Sequence, residues 1–479
     1  MMLKTSVPII ALAAVTFTVN AQAQDAGVES QDAGVMAQDD EAEPDLGDSQ
    51  WDIVVEDDSA IEGTAEDDDD DYFVRAGDDF GVKLHGSFEN QLTFMWPNQY
   101  NGEERLYVYD YTRLRIDLDA DLPGGLQLKS DVVARLFVGD TDFYIVNIIP
   151  AKAFDDLVAR DPRWQAAMFD KYELENEIYL DNVYLKVPIA KTLLILGKQP
   201  VEQGAGYAWN PTDVFTRKEM MDPTYEKPGV IALRLMIPIG ESASLDFLGA
   251  PDGSFEHWGY GGRGALRLGP LSLSAASYVT RVKRTDMEGS MDAMMAAAML
   301  GQDPEEAVIV SQARRTMVGG DVILDIEGVR LWAEGAYNFV ENKSGAPKDW
   351  WELVGGAEYF FPFQTHLMVE YFHYGEGGEQ HGGTYDFNSW MQLLSGELKM
   401  LGRDFLFESI DHPVADFWTL GLSSFQSLSD GSAAIMGDVR WEFVQDAELW
   451  LLVVADVGDK EDFLASAKGQ AWLRLKVYF

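Results

Sequence analysis

The residues best placed to act on another molecule are charges that alternate with apolar side chains. From Asp110 to Leu122 one set of alternate positions carries Arg113, Arg115, Asp117, Asp119 and Asp121, and the other carries Leu114, Ile116, Leu118, Ala120 and Leu122. Successive side chains of a strand point to opposite faces, so such a segment has one charged side and one apolar side. The same pleat adds Lys129, Asp131, Arg135, Arg234, Arg263, Arg267, Arg315, Asp321, Arg440, Arg474 and Lys476 to the charged side. If that side encloses water, rings of charge there select solutes by sign. The competing reading is that these groups solvate a wall and pair across strands. The pairs Arg113 with Arg115 and Arg263 with Arg267 read as steps of a basic ladder that favours small anionic solutes.

Other chemistry is thinly represented. The chain has no cysteine, which excludes thiol catalysis and thiolate metal sites. Six histidines are scattered without a zinc-type spacing or a nucleophile elbow. The nearest approach to a metal cluster is His373 and His381 around Glu376 and Glu379. Met291, Met294, Met295 and Met299 fit packing better than soft-metal binding, which usually brings His or Cys with it. No cofactor is expected, and an enzyme is the weakest of the functional classes considered. With 81 acids against 36 bases the net charge is -45, so nucleic acid is not a partner.

Much of that charge is local. Gln24 to Asp71 holds 20 acids and no base, which leaves 61 acids against 35 bases over Tyr72 to Phe479, a net of -26. The acidic stretch repeats Gln-Asp-Ala-Gly-Val and ends on Asp67 to Asp71, a composition that cannot offset its ordering entropy by burial. Lys4, the apolar run Val7 to Val19 and small residues around Ala21 and Ala23 read as a signal peptide. The organisation expected is a signal peptide over 1–23, a disordered acidic arm over 24–79 and one folded unit over 80–479.

The elements that must position the charges are strands. From Gly81 onward, alternating stretches of about ten residues are separated by turn signals, the pattern of a transmembrane barrel. Short turns such as Pro123-Gly124-Gly125, Gly269-Pro270 and Glu327-Gly328 alternate with long segments such as Gly139 to Asn176, Gln199 to Lys227, Arg284 to Arg314 and Gly375 to Leu401. That parity places the long loops on one side. The spacing predicts an all-β, closed antiparallel transmembrane barrel of 18 strands, with 16 as the alternative. A strand near 402–409, ahead of the one near 413–425, is needed to keep the number even. Helical spacing around Ala151 to Met168 and Met287 to Ala298 marks two loop segments that either fold inward or cap the mouth. Trp96, Tyr100, Tyr107, Tyr109, Trp209, Trp258, Tyr260, Trp350, Trp351 and Tyr359 stand near strand ends and predict an aromatic girdle.

The last strand, Ala471 to Phe479, alternates throughout and ends on an aromatic, with Leu473, Leu475 and Val477 sharing the face of Phe479. This resembles the terminal signature of Gram-negative outer-membrane β-barrels. Gly197-Lys198-Gln199-Pro200 with Gly204-Ala205-Gly206 and Asn210-Pro211-Thr212-Asp213-Val214-Phe215, and Leu422 to Phe425 with Asp430-Gly431-Ser432, resemble pieces of large porins of the alginate-export-like group. The resemblance implies a cell outer membrane location among lipid and lipopolysaccharide. It also implies that Phe479, Val477 and Leu475 are read by the barrel-assembly machinery, and that the barrel passes small hydrophilic solutes by diffusion. A homotrimer is an assembly this class allows, and a surface receptor or adhesin is the alternative function.

Overall fold

A half-apolar, half-charged strand is stable only when both of its edges are paired, and in a membrane only full closure achieves this. The computed structural model describes residues 74–75, 80–97, 106–162, 164–167, 171–216, 227–253, 255–380, 383–465 and 467–479. The expected signal peptide and nearly all of the acidic arm lie outside the described residues.

The strands are β1 (Gly81–Pro97), β2 (Tyr107–Leu122), β3 (Leu126–Gly139), β4 (Glu177–Ile189), β5 (Thr192–Gln199), β6 (Val230–Ile239), β7 (Ala243–Pro251), β8 (Trp258–Leu268) and β9 (Leu271–Asp286). They continue as β10 (Ile309–Ile326), β11 (Val329–Val340), β12 (Trp350–Phe360), β13 (His366–Tyr374), β14 (Asp404–Ala415), β15 (Trp418–Ser427), β16 (Ser432–Val444), β17 (Ala447–Val457) and β18 (Ala467–Tyr478). Each pairs antiparallel with its sequence neighbours, and β18 closes on β1 from Ser87 opposite Tyr478 to Pro97 opposite Ala467. The 18-stranded closed barrel is therefore present. Phe479 completes the seam by exchanging backbone hydrogen bonds with Gly86 at 2.7 and 3.0 Å. Val74–Arg75 adds a short rung to β1, opposite Val82 and Gly81.

Turn chemistry agrees with position. Glu327 and Gly328 both adopt positive φ, 47° and 82°, so the β10–β11 hairpin turns in the way that suits the twist of its strands. One boundary differs from expectation. The turn expected around Ile410 to His412 falls instead at Asp416-Phe417, and β14 runs through Pro413 with a register shift between Pro413 and Ala415. Proline is tolerated there because an irregularity relieves it of a ladder hydrogen bond. Asp411 stays in the strand as the partner of Arg440, and His412 bonds the Thr365 hydroxyl at 2.8 Å.

The pleat sorts the two faces as the sequence suggests. On β2, Leu114 and Ile116 are 38% and 40% exposed while Arg113 and Arg115 between them are 3% and 8% exposed. Leu, Ile, Val and Phe recur on the outward face of the other strands, including Leu136, Leu233, Phe247, Val318 and Leu367. The aromatic set divides. Trp96, Trp258, Tyr260 and Trp351 point outward, but Tyr107, Tyr109, Trp209 and Trp350 are buried inside the barrel. Trp350 and Trp351 are adjacent and so must face opposite ways. Tyr100 lies outside the described residues.

Candidate functional site: a narrowed barrel interior

Arg113, Arg115, Asp117, Asp119, Lys129, Asp131, Arg135, Arg234, Arg263, Arg267, Arg315, Asp321, Arg440, Arg474 and Lys476 all occupy inward positions of the pleat. Most of the bases have an acid beside them. Arg115 pairs with Asp117 and, at 3.1 Å, with Asp131, while Lys129 pairs with Asp119 at 2.9 Å. Arg135 pairs with Glu177 and lies over the Tyr179 ring. Arg234 meets Asp246 at 2.7 Å, Arg263 meets Asp321 at 2.8 Å, and Arg440 meets Asp411 and Asp438. Arg474 lies 3.3 Å from Glu89 and hydrogen-bonds Gln91. Arg113 and Arg135 stand directly opposite one another, between Glu89 on β1 and Glu177 on β4. Arg263 and Arg267 are four residues apart, and Arg267 lies exposed near the short-turn rim opposite Ser272. The basic ladder is thus concentrated on β2, β3 and β18 and is interleaved with acids of these strands and of β1.

The opposite part of the wall carries a device that reasoning from sequence did not identify. The segment between β5 and β6 folds into the barrel and hangs on two inward carboxylates. Glu334 of β11 accepts hydrogen bonds from the backbone N–H groups of Ala205 (2.7 Å), Gly206 (3.1 Å) and Thr212 (2.6 Å), and from the Thr212 hydroxyl (2.8 Å). Glu370 of β13 accepts from the N–H groups of Tyr207 (2.7 Å), Ala208 (2.7 Å) and Trp209 (3.0 Å), and from the Trp332 indole. A buried carboxylate is tolerable when several N–H groups surround it, and these eight hydrogen bonds meet that requirement. Gly204 has φ of 98° and a Cβ there would run into the Glu334 carboxylate, so only glycine permits the approach. Gly206 is similarly confined by the Trp209 carbonyl.

The rest of the segment is locked by packing and one buried ion pair. Trp209 stacks on Phe372 at 5.1 Å and lies near Phe405 and Phe425. Phe215 packs edge-on against Tyr278, whose hydroxyl receives a hydrogen bond from Gln203 at 2.6 Å. Lys227 reaches Asp213 at 2.8 Å and Glu202 at 3.2 Å. Burial works against its ammonium, yet those two carboxylates outweigh it and hold the Lys227 pKa above the ordinary lysine value. Arg315, from β10, donates to Thr280 at 2.9 Å and lies near the Trp350 ring. A cavity of about 30 Å³ remains beside Trp209, Asn210, Asp213 and Lys399. That is room for about one water molecule rather than a solute.

The long loops meet over the mouth. Phe143 packs on the inward rings of Tyr107 and Tyr109 at 5.0 and 5.9 Å, and Asn147 donates to the Tyr107 hydroxyl at 2.6 Å. Helix α1 (Ala151–Arg160) and the short α2 (Trp164–Ala167) follow, and Phe154 and Trp164 pack on Phe387 of the helix Phe387–Leu394. Within the loop expected over Phe143 to Asp170, the described part from Phe143 to Trp164 therefore dips into the mouth, while the deeper intrusion comes from 200–216. The helix Met287–Met299 joins this cap through Glu288, which pairs with Arg160. The residues considered for a metal are taken up separately. His373 bonds Asp404 at 2.8 Å and stacks on Trp351, Glu376 pairs with Arg284, and Glu379 pairs with Arg403. His381 lies outside the described residues.

Closure, an apolar exterior, a charged interior and long loops gathered on one side define a transmembrane β-barrel of the outer-membrane class. No protein-family model and no curated protein matches the chain. Solved outer-membrane barrels are similar in outline. OmpF of Salmonella typhi, in complex with daunomycin, is 14% identical over 85% of this chain and 99% of its own, with a TM-score of 0.40. OccAB4 of Acinetobacter baumannii is 9% identical over 83% and 98%, with a TM-score of 0.45. A Rhodopseudomonas blastica porin mutant is 10% identical over 83% and 100%, with a TM-score of 0.40. Likeness at this level decides nothing beyond what the strand pairing of this chain already establishes.

Proposed function

We propose that the barrel is a passive diffusion channel for small hydrophilic solutes and that the segment 200–216 sets its narrowest cross-section. The observation that carries this reading is the pinning of that segment inside the barrel by Glu334 and Glu370. A barrel of 18 strands is wide enough to enclose water, and a fixed inward segment reduces the opening without sealing the wall.

We further propose a preference for anionic, carboxylate-bearing solutes. On the β11 to β13 wall Glu334 and Glu370 are turned toward peptide N–H groups and Glu352 is engaged by Lys399, and Asp213 is engaged by Lys227, so their charge is directed into the protein. Across the interior, Arg113 and Arg115 of β2, Arg135 of β3, and Arg474 and Lys476 of β18 gather on either side of β1. Charge on the outer loops is screened within about 8 Å at physiological ionic strength, so the nearer interior bases weigh more on a passing ion than the net of -26. The interleaved acids make the preference a weak one. Replacing Arg113, Arg115, Arg263 and Arg267 with Gln should move the zero-current potential toward cation selectivity in asymmetric salt. Arg113 and Arg115 should supply most of the change, because Arg267 sits at the rim. A wild-type channel already strongly cation-selective would defeat the anion preference, and a barrel with no conductance in planar bilayers would defeat the channel.

A further inference from the structure

In so acidic a chain the interior bases mostly have a carboxylate beside them, but three bases on the outer wall share a single one. Arg281 and Lys283 lie near the long-loop end of β9 and Arg314 near that of β10, on the outward faces that also carry Leu273 and Val279, and Val310 and Val318. Arg281 and Arg314 are direct cross-strand partners, and Lys283 stands opposite Gln312 one pleat repeat farther out. All three are exposed, and among the described residues none has a side-chain ion pair. The neighbouring carboxylate, Glu341, accepts from the Arg314 backbone at 3.4 Å and is held by Lys343 at 3.2 Å. Two arginines facing each other on one surface repel, and Glu341, which lies near both, is also engaged by Lys343, so the cluster keeps an excess of positive charge that a further anion would relieve.

The level of the cluster identifies the anion. One pleat repeat toward the barrel middle runs the row Tyr260, Val279, Thr316 and Phe339, each the register partner of the next. Tyr260 and Phe339 are outward and exposed, as rings at a membrane boundary are. The bases therefore stand about 7 Å farther out, at headgroup depth. They are on the long-loop side, which in this class faces the outer leaflet. Guanidinium groups bind phosphate oxygens in pairs, and the apolar row beneath suits acyl chains.

We propose that Arg281, Lys283 and Arg314 form a fixed site for the phosphate-bearing headgroup of an outer-leaflet amphiphile. The site is independent of solute passage and requires only the membrane orientation of the barrel. The test uses the full-length protein in nonionic detergent, with bound lipid measured by native mass spectrometry. Diphosphoryl lipid A and its enzymatically dephosphorylated form are titrated into wild type and into the R281Q/K283Q/R314Q variant. The expected result is binding of diphosphoryl lipid A about tenfold weaker in the variant, with no matching change for the dephosphorylated lipid. Equal affinity of both proteins for the phosphorylated lipid, or equal affinity of wild type for both lipids, overturns the site. Displacement by an equimolar amount of inorganic phosphate overturns the lipid occupant in favour of a free-anion site. Heat-modifiable migration reports folding. Should the triple variant fail it, R281Q and R314Q singly, each on an exposed face, give the same reading with about threefold losses expected.

Discussion

Replacing Glu334 and Glu370 together with alanine should raise single-channel conductance about twofold or more, because pore diameter governs flow and the inward segment loses both of its anchors. The two carboxylates accept six backbone N–H groups from residues 205–212 together with the Thr212 hydroxyl and the Trp332 indole. A buried donor left without an acceptor costs about 1–3 kcal/mol, so six of them exceed what the Trp209 stack and the Lys227 pair can hold in place. The barrel ladder uses none of these groups, so the protein should still migrate as a folded, heat-modifiable barrel. The E334Q/E370Q variant keeps the shape and half of the acceptors, and should fall between the two. Freed residues 200–216 should also become a site of limited proteolysis. Conductance equal to wild type in a folded double variant would mean that the segment does not set the narrowest section.

Deleting Phe479 should lower the folded, heat-modifiable barrel in the outer membrane several-fold. Its backbone makes the last pair of hydrogen bonds across the β1–β18 seam, and its ring lies against Gly86, where a Cβ would touch it at 3.0 Å. Its ring is outward and 61% exposed, on the face shared by Leu473, Leu475 and Val477. Net hydrogen-bond contributions are about 1 kcal/mol each, a small part of a seam that runs from Ser87 to Pro97. Refolding of the deletion variant into detergent should therefore be nearly normal while its level in cells falls. Phe479→Tyr should restore most of that level. Loss of refolding in vitro would make the residue a structural clasp rather than an assembly signal, and normal levels in cells would remove it from both roles.

How much of this was legible in the sequence follows from range. The number of strands, their faces and the parity of the loops are local properties: period-two alternation, turn residues such as Glu327-Gly328, and segment length. The charges of Asp110 to Leu122 could be assigned to one face without any knowledge of their neighbours. Where local signals are balanced, distant contacts decide. Asp411 and His412 look like turn residues, yet contacts with Arg440 and Thr365 from other strands keep them in β14. Tyr107, Tyr109 and Trp209 look like girdle rings because composition reports that a ring is near a strand end and not which side of the sheet it faces.

The interior was the part that sequence could not supply. Glu334 and Glu370 are single acids in alternating strands, like many others in this chain, and nothing local distinguishes them. The glycines and the Asn210-Pro211-Thr212-Asp213 run were visible as a motif, but their partners lie more than 120 residues away in the chain. Likewise, Arg263 and Asp321 meet only because β8 and β10 flank β9. The sequence by itself determined a closed wall with a charged inside and an apolar outside, since that depends on pleat and hydropathy. Only the tertiary structure decided which loop enters, which charges are cancelled and which remain toward the opening, because those depend on which side chains closure of the barrel brings within a few ångströms of one another.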